Sequence, residues 1–115
     1  MAEDTIFGKI LRGEIPCNEV YSDEEYYAFR DIKAQAPHHI LIIPRKPIPK
    51  ISDATEADRA LLGGLILKAN EIARTLGFAD DGYRLVINCG KHGGQEVYHL
   101  HLHLLGGRQM KWPPG

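Results

Sequence analysis

The alternation of apolar and polar positions predicts five strands along the chain. Runs rich in β-branched and aromatic residues occupy 18–22 and 26–30, and the three acidic residues between them predict a hairpin. A near-continuous apolar run at 36–44, with prolines near its ends, predicts a central strand buried on both faces. Two further strands are predicted at 83–89 and 98–105, where apolar residues recur with a period of two.

Two helical segments complete the pattern. Residues 5–14 place apolar side chains along one side of a short helix. Residues 53–77 carry a wide apolar stripe, which predicts a long helix packed on the sheet. Thr55 and Asp58 form a capping pattern at its start, and Gly77 is placed to end it. We therefore predict an α+β domain with a five-stranded antiparallel sheet, one long helix and one short helix.

The last predicted strand alternates histidine with leucine. His99, His101 and His103 are predicted to share one face, roughly 6.5–7 Å apart, while the leucines face the core. Three imidazoles in an apolar interior would bring six ring nitrogens that need partners, so the row indicates a site. Two chemistries fit: zinc chelation by neutral imidazoles, or a histidine nucleophile or base oriented by its neighbours. The spacing alone does not distinguish them.

Three other features are candidates for the same site. Asp31 directly follows the second predicted strand, where its carboxylate either faces a ligand or closes a turn. His39 lies at the start of the central strand and supplies a fourth imidazole. The glycine-rich loop at 90–95 leads into the histidine strand. Its backbone N–H groups either cradle an oxyanion or belong to a plain connection.

Composition narrows the class of protein. The 115 residues, 43% hydrophobic and 25% charged, fit a single domain spanning 1–115. A formal net charge of -1 argues against a nucleic-acid partner. Cys17 and Cys89 form no CxxC motif and are expected to be reduced thiols, and no apolar signal core follows the acidic start of the chain. We therefore expect a cytoplasmic protein, and no 18-residue apolar run predicts a membrane span.

With these motifs in place, the chain resembles the histidine triad (HIT) superfamily, and within it the Hint branch of nucleoside phosphoramidate hydrolases. Residues 99–105 match the pattern His-φ-His-φ-His-φ-φ, where φ is apolar, at every position. The resemblance covers almost the whole chain. Its tail is more specific than the triad and favours Hint over the dinucleoside polyphosphate hydrolases. The other matching segments are 4–10, 35–37, 93–95, 105–110 and 112–115.

The resemblance implies a HIT-like fold and a purine nucleoside 5′-phosphoramidate hydrolase that needs no metal or other cofactor. His101 would be the nucleophile that attacks the α-phosphorus of AMP or GMP conjugates, and His103 would contact the phosphate oxygens. His99 and His39 would form a supporting hydrogen-bond relay, and Asp31 would accept from the ribose hydroxyls. The other implied nucleotide-binding residues are Phe29 and Ile32 beside the base, and Asn88, Gly94, Glu96 and Val97 around the phosphate and leaving group.

Two further expectations follow from the resemblance. The Hint pattern usually has serine after Gly-Gly-Gln, whereas this chain has Glu96, whose carboxylate accepts hydrogen bonds but does not donate them. The rate and the leaving group are therefore expected to depend on this position. A homodimer is implied, in which the tail at 106–115 lies at the interface and brings Trp112 to the partner's site. The alternatives are a dinucleoside polyphosphate hydrolase and a zinc-binding or regulatory interaction module.

Overall fold

A computed structural model describes residues 4–115, so the start of the acidic N-terminal segment, residues 1–3, lies outside the described residues. Two 3-10 turns, Ile51–Asp53 and Glu56–Asp58, precede the long helix. In chain order the elements are α1 (Ile6–Leu11), β1 (Glu19–Ser22), β2 (Tyr26–Arg30), β3 (His38–Pro44), α2 (Arg59–Leu76), β4 (Tyr83–Val86) and β5 (Leu102–Gly106).

The five strands form one antiparallel sheet in the order β1-β2-β3-β5-β4, as predicted. β3 lies at the centre, and every residue after His38 in it is buried, which confirms the prediction from its apolar run. Its pairing with β5 sets His39 opposite Leu105 and Leu41 opposite His103. The sheet therefore brings the start of β3 next to the triad, although these segments are far apart in sequence.

The long helix packs on the face of the sheet that the leucines share. Leu65, Ala69 and Ile72 of α2 belong to one buried cluster with Leu102 and Leu104 of β5. This confirms the prediction that the apolar stripe is core. Ile66 of the same stripe is an exception, because 44% of its surface is exposed.

The ends of α2 follow the predicted capping chemistry. The Asp58 carboxylate accepts from the Thr55 N–H at 2.9 Å, in the turn that precedes the helix. Gly77 ends the helix with φ of 85°, a left-handed conformation that costs glycine little. The regular helix begins at Arg59 rather than 53, because residues 51–58 form separate 3-10 turns. Within residues 4–115, none of the helices is long and apolar enough to cross a membrane.

The short helix covers the opposite face of the sheet. Thr5 caps α1 by accepting from the Gly8 N–H at 3.1 Å. Phe7 and Ile10 pack against Phe29, Leu41 and Ile43 in a second buried cluster. This face also carries the histidines, so α1 and the triad lie on the same side of the sheet.

The strands that flank the glycine-rich loop are shorter than predicted. β4 ends at Val86 rather than at 89, and β5 begins at Leu102 rather than at 98. His99 and His101 therefore precede the strand. Residues 98–101 instead contact the segment after β3, where the Leu100 N–H donates to the Ile48 oxygen at 2.7 Å. Prolines on either side of Ile48 offer no N–H groups, so a regular ladder cannot extend there.

Candidate active site

A cavity of about 510 Å³ opens between α1 and the histidine face of the sheet. Its walls differ in character: α1 and β2 contribute apolar side chains, the turn after β2 contributes charge, and the histidines lie opposite the loop that follows β4. The lining residues include Ile6, Phe7, Ile10, Cys17, Phe29, Asp31, Ile32, His39, Asn88, Gly94, Glu96, Val97, His101 and His103.

His101 is buried in this cavity, and its hydrogen-bond partner shows which of its ring nitrogens carries the proton. Its Nδ1 lies 2.8 Å from the His99 carbonyl oxygen, and a carbonyl only accepts hydrogen bonds. The proton therefore sits on Nδ1 in the neutral ring, which leaves a lone pair on Nε2. Burial is the main cause that lowers the pKa of His101 below 6.5. His101 is thus neutral near pH 7 and able to attack an electrophile.

His39 and His103 form an ordered chain of hydrogen bonds. The Gln35 N–H donates to His39 Nδ1 at 3.0 Å, so the proton of neutral His39 is on Nε2. That N–H donates to His103 Nδ1 at 2.9 Å, which places the proton of His103 on its own Nε2. Burial and the neighbouring imidazoles lower the pKa of His103 to about 4. His103 therefore offers one N–H donor, beside the lone pair of His101.

His99 lies behind the cavity lining and contacts His101 through its backbone. It is almost fully buried, and its Nε2–H donates to the Pro44 oxygen at 2.8 Å. Its backbone carbonyl is the acceptor that holds His101. His99 itself does not line the cavity, because residues 98–101 leave the sheet ladder to contact residues 44–48.

Asp31 both closes a turn and faces the cavity. The sequence left these two roles as alternatives, and the structure shows both. One carboxylate oxygen accepts from the Lys33 N–H at 2.9 Å, which is the turn contact. The other lies 3.5 Å from His39 Nε2 and lines the cavity. The Asp31 N–H donates to the His39 oxygen at 2.9 Å, which extends the β2–β3 pairing by one bond.

Asp31, His39 and His103 each have one potential metal-ligating atom, and these three atoms lie within 4.8 Å of one another. The proton positions argue against that use. A metal ligand needs a lone pair, but the Nε2 of His39 carries a proton because its Nδ1 accepts from Gln35. Binding a metal there would break two hydrogen bonds of the chain. The donor set fits a hydrogen-bond chain better than a zinc site.

The loop after β4 is held in place by the buried side chain of Gln95. Its oxygen accepts from the Gly90 N–H at 3.0 Å, and its amide donates to the Pro49 oxygen at 2.8 Å and the Val97 oxygen at 3.0 Å. Gly94 has φ of 79°, which favours glycine at the point where the loop meets the cavity. The glycine pattern predicts this loop from the sequence, whereas the role of Gln95 follows only from its three side-chain contacts.

The C-terminal tail does not reach the cavity of its own protomer. Trp112 is 80% exposed and lies 5.8 Å from the Arg84 guanidinium. Arg84 also donates to the Lys111 oxygen at 2.9 Å, which holds the tail near β4. The protomer therefore assembles the predicted site residues except His99, which lies behind it, and Trp112.

Comparisons with known proteins agree with this geometry. The family model described as HIT domain matches residues 12–110. The chain belongs to the HIT family. A HIT family hydrolase from Legionella pneumophila, solved by crystallography, has a TM-score of 0.95 at 53% identity, covering 97% of this chain and 100% of that chain. The predicted HIT-like fold is thereby confirmed.

Two proteins of similar sequence match this chain over nearly their full length. An uncharacterised HIT-like protein from Synechocystis is 59% identical over 115 residues, the full length of both chains. The purine nucleoside phosphoramidase of Escherichia coli K12 is 56% identical over 110 residues, covering 96% of this chain and 92% of that protein.

Several lining residues of this HIT site were not singled out from the sequence. Ile6, Phe7 and Ile10 belong to α1, whose apolar side was predicted from the sequence without a role in the site. The exposure of Ile6, 48%, shows that part of this side faces the cavity mouth rather than the core. A helix that binds ligand and packs at once leaves no separate signal in its hydrophobic period.

Proposed function

We propose that this HIT protein is a purine nucleoside 5′-phosphoramidate hydrolase that works through a nucleotidyl intermediate on His101. The observation that carries the proposal is the hydrogen bond from His101 Nδ1 to the His99 oxygen, which leaves a neutral Nε2 in the cavity. The similarity to the Escherichia coli purine nucleoside phosphoramidase supports the same reaction class.

The reaction divides into two displacements at phosphorus. In the first, His101 Nε2 attacks the α-phosphorus, the P–N bond breaks, and the leaving amine takes up a proton. In the second, water attacks the same phosphorus, the bond to His101 breaks, and the nucleoside monophosphate leaves as a proton is released. An imidazole attacks better than water, and each step is easier than direct hydrolysis.

The other residues have roles that follow from their hydrogen-bonding capacity. The N–H of His103 donates to a phosphate oxygen where negative charge develops. The Asp31 carboxylate accepts from the ribose hydroxyls, since its second oxygen is not used by the turn. Phe29 and Ile32 flank the base in the apolar part of the cavity, and Asn88, Gly94 and Val97 surround the phosphate.

The stereochemical course at phosphorus tests the mechanism. Two in-line displacements each invert the phosphorus, so hydrolysis of a phosphorus-chiral substrate in labelled water is expected to give net retention. Net inversion would show direct attack by water and reduce His101 to a general base. We also expect adenosine 5′-phosphoramidate to be cleaved faster than a diadenosine polyphosphate, and the reverse order would favour the alternative hydrolase.

Substitution of His101 provides a second check. His101→Ala is expected to lose nearly all turnover while AMP still binds, because Asp31 and the glycine loop remain. His38→Gln is the matched control, since His38 stacks on Phe78 at 4.4 Å outside the cavity lining. Calorimetric titration with AMP separates lost binding from lost chemistry.

We further propose that the protein is a cytoplasmic homodimer. Apolar side chains on α2 and in the tail support an interface, because Ile66, Leu67 and Trp112 are 44%, 62% and 80% exposed on the single protomer. The two free cysteines, Cys17 and Cys89, support a reducing compartment. In such a dimer the tail of one protomer reaches the site of its partner.

A further inference from the structure

A second cavity, of about 350 Å³, lies on the side of the sheet that α2 covers, away from the histidines. It is a groove between the edge strand β1 and the second half of α2. Apolar side chains form its floor and charged side chains of α2 form its rim, and none of them lines the cavity that contains His101. The apolar residues are Val20, Ile72 and Leu76, and the charged ones are Lys68, Glu71 and Arg74.

A β-bulge in β1 explains why two consecutive residues of this strand face the groove. Neighbouring side chains in a regular strand point to opposite faces of the sheet. Val20 and Tyr21 nevertheless both pack against the buried cluster under α2. The register of β1 against β2 shifts between Glu19 and Tyr21, so Val20 has no register partner in β2 and its side chain turns toward the helix. The bulge therefore widens the apolar surface at the edge of the sheet.

The outer edge of β1 offers backbone groups to a further strand. β1 is the first strand in the sheet order, so among the described residues only β2 pairs with it. The Asp23 N–H donates to the Tyr26 oxygen at 3.0 Å, which makes Asp23 a hydrogen-bonded position. Such positions alternate along an antiparallel strand, so the N–H and C=O of Ser22, opposite Tyr27, point away from β2. An extended peptide can pair with these groups beside the groove.

The charge along the rim differs between the two ends of the groove. Lys68 is shared by two carboxylates, Glu71 at 2.6 Å and Asp23 at 3.8 Å, so this end has an excess of negative charge. Arg74 is exposed and forms no ion pair within 4 Å among residues 4–115. The other end of the groove therefore carries a guanidinium that is available to an anionic partner.

These charges orient the occupant of the groove. Lys68 donates to the Tyr21 hydroxyl at 2.9 Å, so it marks the end of the groove that lies nearer to Ser22. Arg74 lies about 9 Å further along α2, at a rise of about 1.5 Å per residue, and so toward Val20. A strand added antiparallel to β1 runs from Ser22 toward Val20, and its last residue comes to Arg74. A carboxylate there forms a charge-assisted hydrogen bond with the guanidinium.

We propose that this groove docks an extended segment of a partner protein. The segment adds to β1 as an antiparallel strand, places alternate apolar side chains against Ile72 and Leu76, and ends with a carboxylate on Arg74. The free edge favours a peptide over a small carboxylate, because only a peptide uses the backbone groups of Ser22. The groove lies on the other side of the sheet from the histidines, so this inference does not depend on the proposed function.

A synthetic peptide tests the proposal on the isotope-labelled full chain. The probe is an acetylated, amidated hexapeptide in which threonine and valine alternate and aspartate is the last residue. We expect saturable NMR shifts at the amides of Ser22, Ile72 and Leu76. The amides of His101 and His103 should not move. The absence of a saturable shift at millimolar peptide would overturn the proposal.

Variants on α2 test the charge. Arg74→Glu is expected to weaken binding by about fivefold at low salt, which is what an exposed ion pair contributes. Arg59→Glu is the matched control, because Arg59 is an exposed arginine at the start of α2, outside the groove. It should bind the peptide as the wild type does, and both variants should keep the wild-type Tm. Unchanged affinity in Arg74→Glu would overturn the assignment of the carboxylate to Arg74.

Two N-methylated versions of the peptide test the strand addition. The threonines lie opposite Ser22, because their side chains face away from α2, so methyl groups on their nitrogens should abolish binding. Methyl groups on the valine nitrogens, which point away from β1, should leave binding intact. Equal affinity of the two methylated peptides would show a site for an apolar carboxylate that does not use the edge, and would overturn the proposal. Shifts at Ser22 that depend on protein concentration without peptide would show a second copy there, with the same consequence.

Discussion

At the scale of the residue, the positions of the protons on three histidine rings determine what each ring can do in the cavity. The ring nitrogens of His101, His39 and His103 are assigned by a carbonyl, an amide N–H and one another. Together these assignments leave a lone pair on His101 Nε2 and an N–H on His103 Nε2. The neutral state of these rings is thus as important as their position.

The stability of the protein is expected to depend on pH through His103. Its pKa is about 4 in the folded state and about 6.5 when unfolded, so the unfolded chain binds the proton more readily between these values. The stabilisation is complete above pH 6.5 and is lost as the pH falls toward 4. Between pH 7 and pH 5 we expect a loss of about 1–2 kcal/mol in the free energy of unfolding.

Urea unfolding of the wild type and of His103→Asn at both pH values measures this effect. The variant lacks the titrating group and is expected to lose correspondingly less stability on acidification. His38→Asn, outside the cavity lining, is the control and should behave like the wild type. Equal losses in the wild type and in His103→Asn would contradict the low pKa of His103.

At the scale of the element, the loop between β4 and β5 is held by one side chain. Gln95→Met has similar volume but no hydrogen-bonding amide, so Gly90, Pro49 and Val97 would each lose a partner. We expect a destabilisation of about 2–4 kcal/mol, since unpaired buried polar groups cost roughly 1–3 kcal/mol each and water replaces part of the loss. We also expect kcat/KM to fall, because the loop positions Gly94.

The matched control for this loop is Gln109→Met. Gln109 is exposed in the tail, and its amide contacts only the adjacent Met110 oxygen among the described contacts. It should change the free energy of unfolding by less than about 0.5 kcal/mol. If Gln95→Met is as stable as Gln109→Met in urea, Gln95 does not hold the loop.

At the scale of the whole molecule, the exposed apolar residues predict a second copy of the chain. Light scattering at micromolar concentration is expected to give the mass of a dimer. Ile66→Asp is expected to favour the monomer, because it places a charge on an apolar part of α2. Ala60→Asp adds the same charge elsewhere on this helix, at another exposed position, and should leave the dimer intact.

Removal of the tail after Gly107 completes the test. The tail lies on the surface and contributes no residue to the two buried clusters, so truncation is expected to change leaving-group preference more than stability. A monomeric mass for the intact chain at micromolar concentration would contradict the dimer and the shared site.

Much of the fold could be predicted from local patterns. The period of α2, the doubly buried β3 and the caps at Thr55, Asp58 and Gly77 are consequences of backbone geometry that acts over a few residues. The alternation of histidine and leucine placed Leu102 and Leu104 in the core for the same reason. These features need no knowledge of distant contacts.

The tertiary structure decided what depends on distant partners. The late start of β5 at Leu102 follows from the contacts of residues 98–101 with the proline-rich segment after β3. The hydrogen bond between His39 and His103 joins side chains 64 residues apart, and only the register of β3 against β5 brings them together. Strand periodicity predicts which face a side chain occupies, whereas the proton positions on the histidines depend on neighbours that sheet pairing supplies.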